Sequence, residues 1–218
     1  MTAIVELDGV GKDYAERFIL SHVDFRLNAG EIIGLTGANG TGKSTLLRIM
    51  AGLSKPSEGR VWLFGQEPGP RSRSRIGVLL EAGFLYGDLT ARETLLYYGR
   101  LYGIKRPADA ANEWLERIEL TRDGDELVKT FSKGMRQRLA MARAALHQPR
   151  LFLLDEPFDG LDQRQSERLA RWVREWGEAG CGVVLISHDE RMVASLSTRI
   201  VRMERGMLRE VGKENRAP

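Results

Sequence analysis

The sequence predicts an α/β fold: a largely parallel sheet with helices on both faces, an antiparallel β unit at the N-terminal end and an all-helical insertion in the middle. Three observations predict it. Short apolar runs such as Val183-Val184-Leu185-Ile186 and Leu151-Phe152-Leu153-Leu154 are uninterrupted, as strands buried on both faces are. A glycine-rich stretch at 37–44 separates one such run from a helical segment. Residues from about 88 to 148 switch to helical spacing of their apolar positions.

Residues 3–8 alternate apolar and polar and read as a half-buried strand. Residues 10–14 lead to a second strand around Val23–Leu27, and Asn28-Ala29-Gly30 turns into a third, Glu31–Thr36. The first helix starts at Thr45 and stops at Gly52. Further strands follow at Arg60–Phe64 and Arg75–Leu80. In the insertion, Thr90 and Glu93 have the spacing of a capping box, and Leu95, Tyr98, Leu101 and Tyr102 share a face. Pro107 opens a second helix and Ser132 a third. After the strand at 151–155, a helix from about Arg164 carries Leu169, Trp172, Val173 and Trp176 on one face. Ile200–Met203 and Met207–Val211 form a closing hairpin, and residues 212–218 are a polar, frayed tail. The expected organisation is one domain over 1–218, with 1–87 and 149–211 as the α/β core and 88–148 as the helical insertion.

The stretch Gly37-Ala38-Asn39-Gly40-Thr41-Gly42-Lys43-Ser44 fills every fixed position of G-x-x-x-x-G-K-[ST] between a strand and a helix. Glycines let successive N–H groups wrap an anion, and the following helix aims its positive end at the same point. Gly37, Asn39, Gly40, Thr41, Gly42, Lys43, Ser44 and Thr45 are therefore the candidate nucleotide contacts. Lys43 can reach the β- and γ-phosphates and Ser44 can ligate Mg²⁺. Downstream, four apolar residues run into Asp155-Glu156. A carboxylate at a strand end suits Mg²⁺, and the next one is placed to deprotonate an attacking water. Asp155 is thus a candidate metal ligand and Glu156 a candidate general base.

The 218 residues are 42% hydrophobic with a net charge of +3, from 33 basic and 30 acidic side chains. That balance, with no basic run interleaved with aromatics, gives no reason to expect nucleic acid. A single cysteine, Cys181, excludes an intrachain disulfide and suits a reducing compartment. The N-terminal residues have no signal-peptide pattern, and no run is long enough to span a bilayer.

Phe131-Ser132-Lys133-Gly134-Met135-Arg136-Gln137 lies one helix before the Asp155 strand. It resembles the signature motif of ATP-binding cassette (ABC) ATPases, usually written Leu-Ser-Gly-Gly-Gln, and the motifs follow in family order over essentially the whole chain. The resemblance implies a P-loop NTPase (RecA-like) core. It implies that Ser132 and Gly134 face the γ-phosphate of ATP held by a partner subunit, with Lys133 and Met135 departing from the common wording. Ser-x-Gly-Met-x-Gln wording resembles that of exporter subunits. By the same resemblance Tyr14 stacks on adenine, Asp162 in Phe158-Asp159-Gly160-Leu161-Asp162 belongs to the D-loop, and His188 is the switch histidine at the γ-phosphate. Glu81 stands where the family usually has Gln; it is expected to keep the metal contact and couple it to the helical insertion.

The resemblance implies further that two subunits, identical or similar, pack head to tail around two ATP molecules. A separate integral membrane permease would then hold the pair on the inner face of the membrane. Phe84-Leu85-Tyr86 is the expected docking cluster. Export is the expected direction; a heme or cytochrome-maturation exporter subunit and a soluble, non-transport ATPase are the alternatives.

Overall fold

The computed structural model describes residues 3–15, 17–80 and 84–211. Two sheets share the chain. Strands β1 (Ala3–Tyr14), β2 (Arg17–Asn28) and β4 (Glu58–Leu63) form an antiparallel sheet in the order β2-β1-β4. Strands β3 (Ile32–Thr36), β5 (Ile76–Leu79), β6 (Leu151–Asp155), β7 (Gly182–Ile186), β8 (Arg199–Glu204) and β9 (Met207–Val211) form the other, in the order β5-β6-β7-β3-β8-β9. All its neighbours pair in parallel except the β8-β9 hairpin.

The uninterrupted apolar runs are explained by what lies on each face. Side chains alternate across a strand, and in β6 both sets are buried. Phe152 and Leu154 join a core with the helical insertion, whereas Leu151 and Leu153 join a second core with the antiparallel sheet. In β7, Val183 and Leu185 face the first core and Val184 and Ile186 the second. Helix α1 (Lys43–Met50) belongs to the second core through Leu46, Leu47, Ile49 and Met50. Gly52, at φ +67°, follows its C-terminal end as a stop.

After the short helix α2 (Pro70–Arg73), the insertion supplies α3 (Ala91–Leu101), α4 (Pro107–Arg117) and α5 (Lys133–Ala145). The capping box at the start of α3 is formed. Thr90 Oγ1 accepts from the Glu93 N–H at 3.1 Å, and Glu93 Oε2 accepts from the Thr90 N–H at 2.8 Å. Helix α6 (Gln163–Glu178) lays Leu169 and Val173 in the first core and stacks Trp176 on Phe152, with ring centroids 3.8 Å apart. Helix α7 (Glu190–Leu196) fills the crossover from β7 to β8.

Three expectations are corrected. Strand β1 continues through residues 10–14, and β2 begins at Arg17 rather than near Val23. Gly9, at φ +57°, introduces a bulge that breaks the alternation there, with its N–H donated to Asp24 Oδ1 at 2.8 Å. Leu101 is 65% exposed although it shares the helical spacing of the buried Leu95 and Tyr98. Helices α2 and α7 carry no expectation, being four and seven residues long, too short for a periodic signal. The tail at 212–218 lies outside the described residues.

Candidate active site

The 37–44 loop follows β3 and ends at the N-terminus of α1. Packing dictates two of its glycines. A Cβ on Gly37, at φ +138°, would sit 2.4 Å from the Met203 carbonyl oxygen, and one on Gly42, at φ +109°, 2.9 Å from that of Ile19. Gly42 begins α1 without a capping side chain, and the first turn holds no acid, so its positive end faces the loop alone. Lys43 is 9% exposed and donates to the carbonyls of Gly37 and Ala38 at 2.8 and 2.9 Å. Thr41 Oγ1 donates to the Ala38 carbonyl at 2.8 Å. Asn39 and Gly40 are exposed at the tip, and Thr45 is half-buried in α1.

The next residue after Lys43 closes a long-range contact. Ser44 Oγ donates to Asp155 Oδ2 at 2.7 Å across 111 positions. Asp155 is the last residue of β6, buried to 7% exposure. A hydroxyl and a carboxylate oxygen side by side are hard donors of the kind that fit Mg²⁺.

Glu156 takes φ +48°, a left-handed conformation that costs a non-glycine residue roughly 1–2 kcal/mol. Its backbone is held from both sides. The N–H donates to the Ile186 carbonyl at 2.9 Å, and the carbonyl accepts from Gln137 Nε2 at 2.9 Å. The carboxylate thereby points at the end of β7, accepting from the His188 N–H at 3.1 Å with His188 Nε2 3.4 Å away. Lys43, Ser44, Asp155, Glu156 and His188 thus gather beyond the carboxyl ends of the adjacent strands β6, β7 and β3, where open α/β sheets bind their ligands.

The other candidates stand on other elements. Ser132 caps α5, accepting from the Met135 N–H at 3.2 Å, and Asp162 caps α6, accepting from the Gln165 N–H at 2.8 Å. Among the described residues, no hydrogen bond joins Ser132, Gly134 or Asp162 to the 37–44 loop. Gly134 packs so closely on the loop before α6 that a Cβ would lie 2.6 Å from the Gly160 carbonyl oxygen. Lys133, the departure from the common signature, lies over Gly160 and pairs with Asp159 at 2.7 Å. Sequence reasoning missed both the Lys133–Asp159 pair and the Gln137–Glu156 bond, which join segments 26 and 19 positions apart without any local signal. Tyr14 is 52% exposed at the end of β1, with Lys12 Nζ 4.8 Å from its ring centroid. Glu81 lies outside the described residues.

A model of the ABC transporter family matches residues 20–159. The chain belongs to the ABC transporter ATPase family. As a member of it, the chain is an ATP-binding transporter subunit and an ATPase. The ABC cassette is 33% identical over 211 residues to a probable sulfate/thiosulfate import ATP-binding protein of Chlorella vulgaris, covering 94% of this chain and 89% of that one. It is 34% identical to a bacitracin transport ATP-binding protein of Bacillus licheniformis, with 96% and 70% covered. To a Nod factor export ATP-binding protein of Sinorhizobium fredii it is 35% identical, with 93% and 60% covered. The dimeric post-hydrolysis structure of the cassette MJ0796 bound to ADP and Pi superposes with a TM-score of 0.85 at 28% identity, covering 95% of this chain and 97% of that one.

Proposed function

We propose that this cassette holds ATP on the 37–44 loop and hydrolyses it with Glu156 as general base, powering a separate membrane permease from the cytoplasmic face. One observation carries the reading: Ser44 meets Asp155 and Glu156 meets His188 at the ends of neighbouring strands.

The side chains divide the work. Lys43 exchanges its loop carbonyls for the β- and γ-phosphates, and the N–H groups around Gly40–Thr45 surround them. Glu156 accepts a proton from the attacking water, while His188, already against that carboxylate, orients the γ-phosphate end. Ser44 and Asp155 would hold Mg²⁺, which spreads the charge that develops on the transferred phosphoryl group. Glu81 completes that set in the proposal. Tyr14 offers a ring face to adenine beside a strand whose Ile19 and Leu20 touch Gly42.

Ser132, Gly134 and Asp162 serve the second subunit's ATP. Two cassettes packed head to tail therefore build two complete sites, and nucleotide becomes part of the interface. Residues 88–148 form the lobe that carries Ser132 and Gly134, and 1–87 with 149–211 the core that carries Asp162 and the other half-site. Phe84 and Tyr86, 46% and 54% exposed beside a 45% exposed Tyr97, offer the permease an aromatic surface. Export is supported by the Ser-Lys-Gly-Met wording and by the exporter relative; the import relative at similar identity gives that support its counterweight.

Glu156→Gln tests the reading. It keeps size and hydrogen-bonding while removing the base, so hydrolysis should fall by about 10²–10⁴-fold. ATP binding should persist, and a dimer should accumulate with ATP on gel filtration. Turnover at the normal rate would remove Glu156 from this role.

A further inference from the structure

The opposite end of the larger sheet, at the amino ends of β5 and β6, carries a pocket of about 120 Å³, lined by Ala3, Ile4, Ala29, Phe64, Arg75 and Arg150. Arg75 immediately precedes β5 and Arg150 immediately precedes β6, so both stand at the amino ends of their strands. Asp155 lies a full strand away, about 16 Å at ~3.3 Å per residue. The pocket is therefore separate from the nucleotide end.

Its frame is fixed by backbone. The Arg75 carbonyl accepts from the N–H groups of Arg150 and Leu151 at 2.8 and 3.2 Å, joining the two strand starts. Phe64 donates its N–H to the Ile4 carbonyl at 2.8 Å and takes φ +54°, which holds its ring at the pocket. The Arg75 guanidinium lies over that ring, 3.9 Å from the centroid. Stacking uses the flat face of the guanidinium and leaves its edge donors turned outward. Among the described residues, neither Arg75 nor Arg150 forms an ion pair, and neither guanidinium donates a hydrogen bond. Two exposed cations without an ion pair among the described residues thus border an apolar floor made by Ala3, Ile4, Ala29 and Phe64.

We propose that this pocket binds a carboxylate borne on a short apolar body, with Arg75 and Arg150 taking the carboxylate and the Ile4–Phe64 floor the hydrocarbon. Guanidinium edges match the two oxygens of a carboxylate. A neutral apolar group would leave both cations without a counter-charge, and a bare inorganic anion would leave the floor wet. Two sources carry this chemistry: a free branched-chain acid, or the C-terminal carboxylate of a polypeptide ending in an apolar residue.

The test is an NMR titration of the full chain with 4-methylpentanoate, its neutral amide 4-methylpentanamide, acetyl-Gly-Gly-Leu with a free or amidated terminus, and sulfate. The free acid or the free peptide should give saturable shifts at the amides of Ile4, Phe64, Arg75 and Arg150. Both amides should bind at least about tenfold more weakly, as should the acids to an Arg75→Gln, Arg150→Gln double variant. Arg75→Lys, which keeps the charge but loses the stacked edge, should fall between. The double variant should keep the ATPase rate of the parent, which also shows that it is folded. Tighter binding of the peptide would assign a chain terminus as the ligand, and tighter binding of the free acid a small molecule. Equal binding of acid and amide, equal binding of sulfate, or undiminished binding by the double variant would overturn the proposal.

Discussion

His147 shows how far burial moves one side chain. Its ring packs at a tilt against Tyr102 with centroids 4.0 Å apart, Nε2 lies 3.2 Å from the Ile76 carbonyl, and Nδ1 is buried without a partner among the described residues. Desolvation lowers its pKa from 6.5 to about 4, against the pull of the Ile76 carbonyl. The unfolded chain then takes up a proton near pH 6.5 that the folded chain refuses. The stabilisation is whole above pH 6.5 and shrinks as pH falls toward 4. From pH 7 to 5.5 it should fall by about 1 kcal/mol. Urea unfolding at the two pH values measures this, and His147→Gln should remove most of the difference. An equal difference in both proteins would assign the loss to other groups. Cys181 illustrates the same physics in a thiol: buried, with its Sγ toward the Pro149 carbonyl, it is pushed to a higher pKa by desolvation, as suits an inert core position.

At the level of elements, the helical insertion depends on its caps and on what ties it down. Thr90→Ala should cost about 0.5–2 kcal/mol by freeing the Glu93 N–H at the start of α3. Thermal unfolding would read that loss, and Thr90→Ser should restore most of the stability. This cap was legible in the sequence because its two partners lie three residues apart. The phosphate loop was legible for the same reason: its glycines, Lys43 and Ser44 are contiguous. Less local devices left no trace. Glu119, between α4 and the following turn, accepts from Gln165 at 2.8 Å and Arg164 at 2.7 Å, and also pairs with Arg168. Hydrogen bonds from Gln165 and Arg168, with the nearby positive charges, hold its carboxyl below the usual carboxylate range. That cluster fastens the insertion to α6 across 45 to 49 positions. Residues 11–14 of β1 escaped notice because burial fades along them, leaving no alternation to read.

For the whole molecule, the proposed function divides the labour between two copies of the chain. In the proposed arrangement Lys43 and Glu156 serve one half-site and Ser132 and Gly134 the other; among the described residues no hydrogen bond joins Ser132 or Gly134 to Lys43 or Glu156. Association should therefore be weak without nucleotide and strengthen with ATP, the more so in Glu156→Gln. Sedimentation velocity with and without ATP measures it; a stable nucleotide-free dimer, or full ATPase activity in a strict monomer, would contradict the shared-site arrangement.

The seam between Gly134 and Gly160 has a consequence for anyone rebuilding this molecule. Their backbones approach too closely for a methyl group, and Lys133 straddles the joint to reach Asp159. The two segments behave as one cast piece. Transplanting residues 131–137 into a foreign scaffold without 159–160 would leave a lysine with nothing to grip and a glycine facing a gap. The heritable unit is the joint rather than either stretch of sequence.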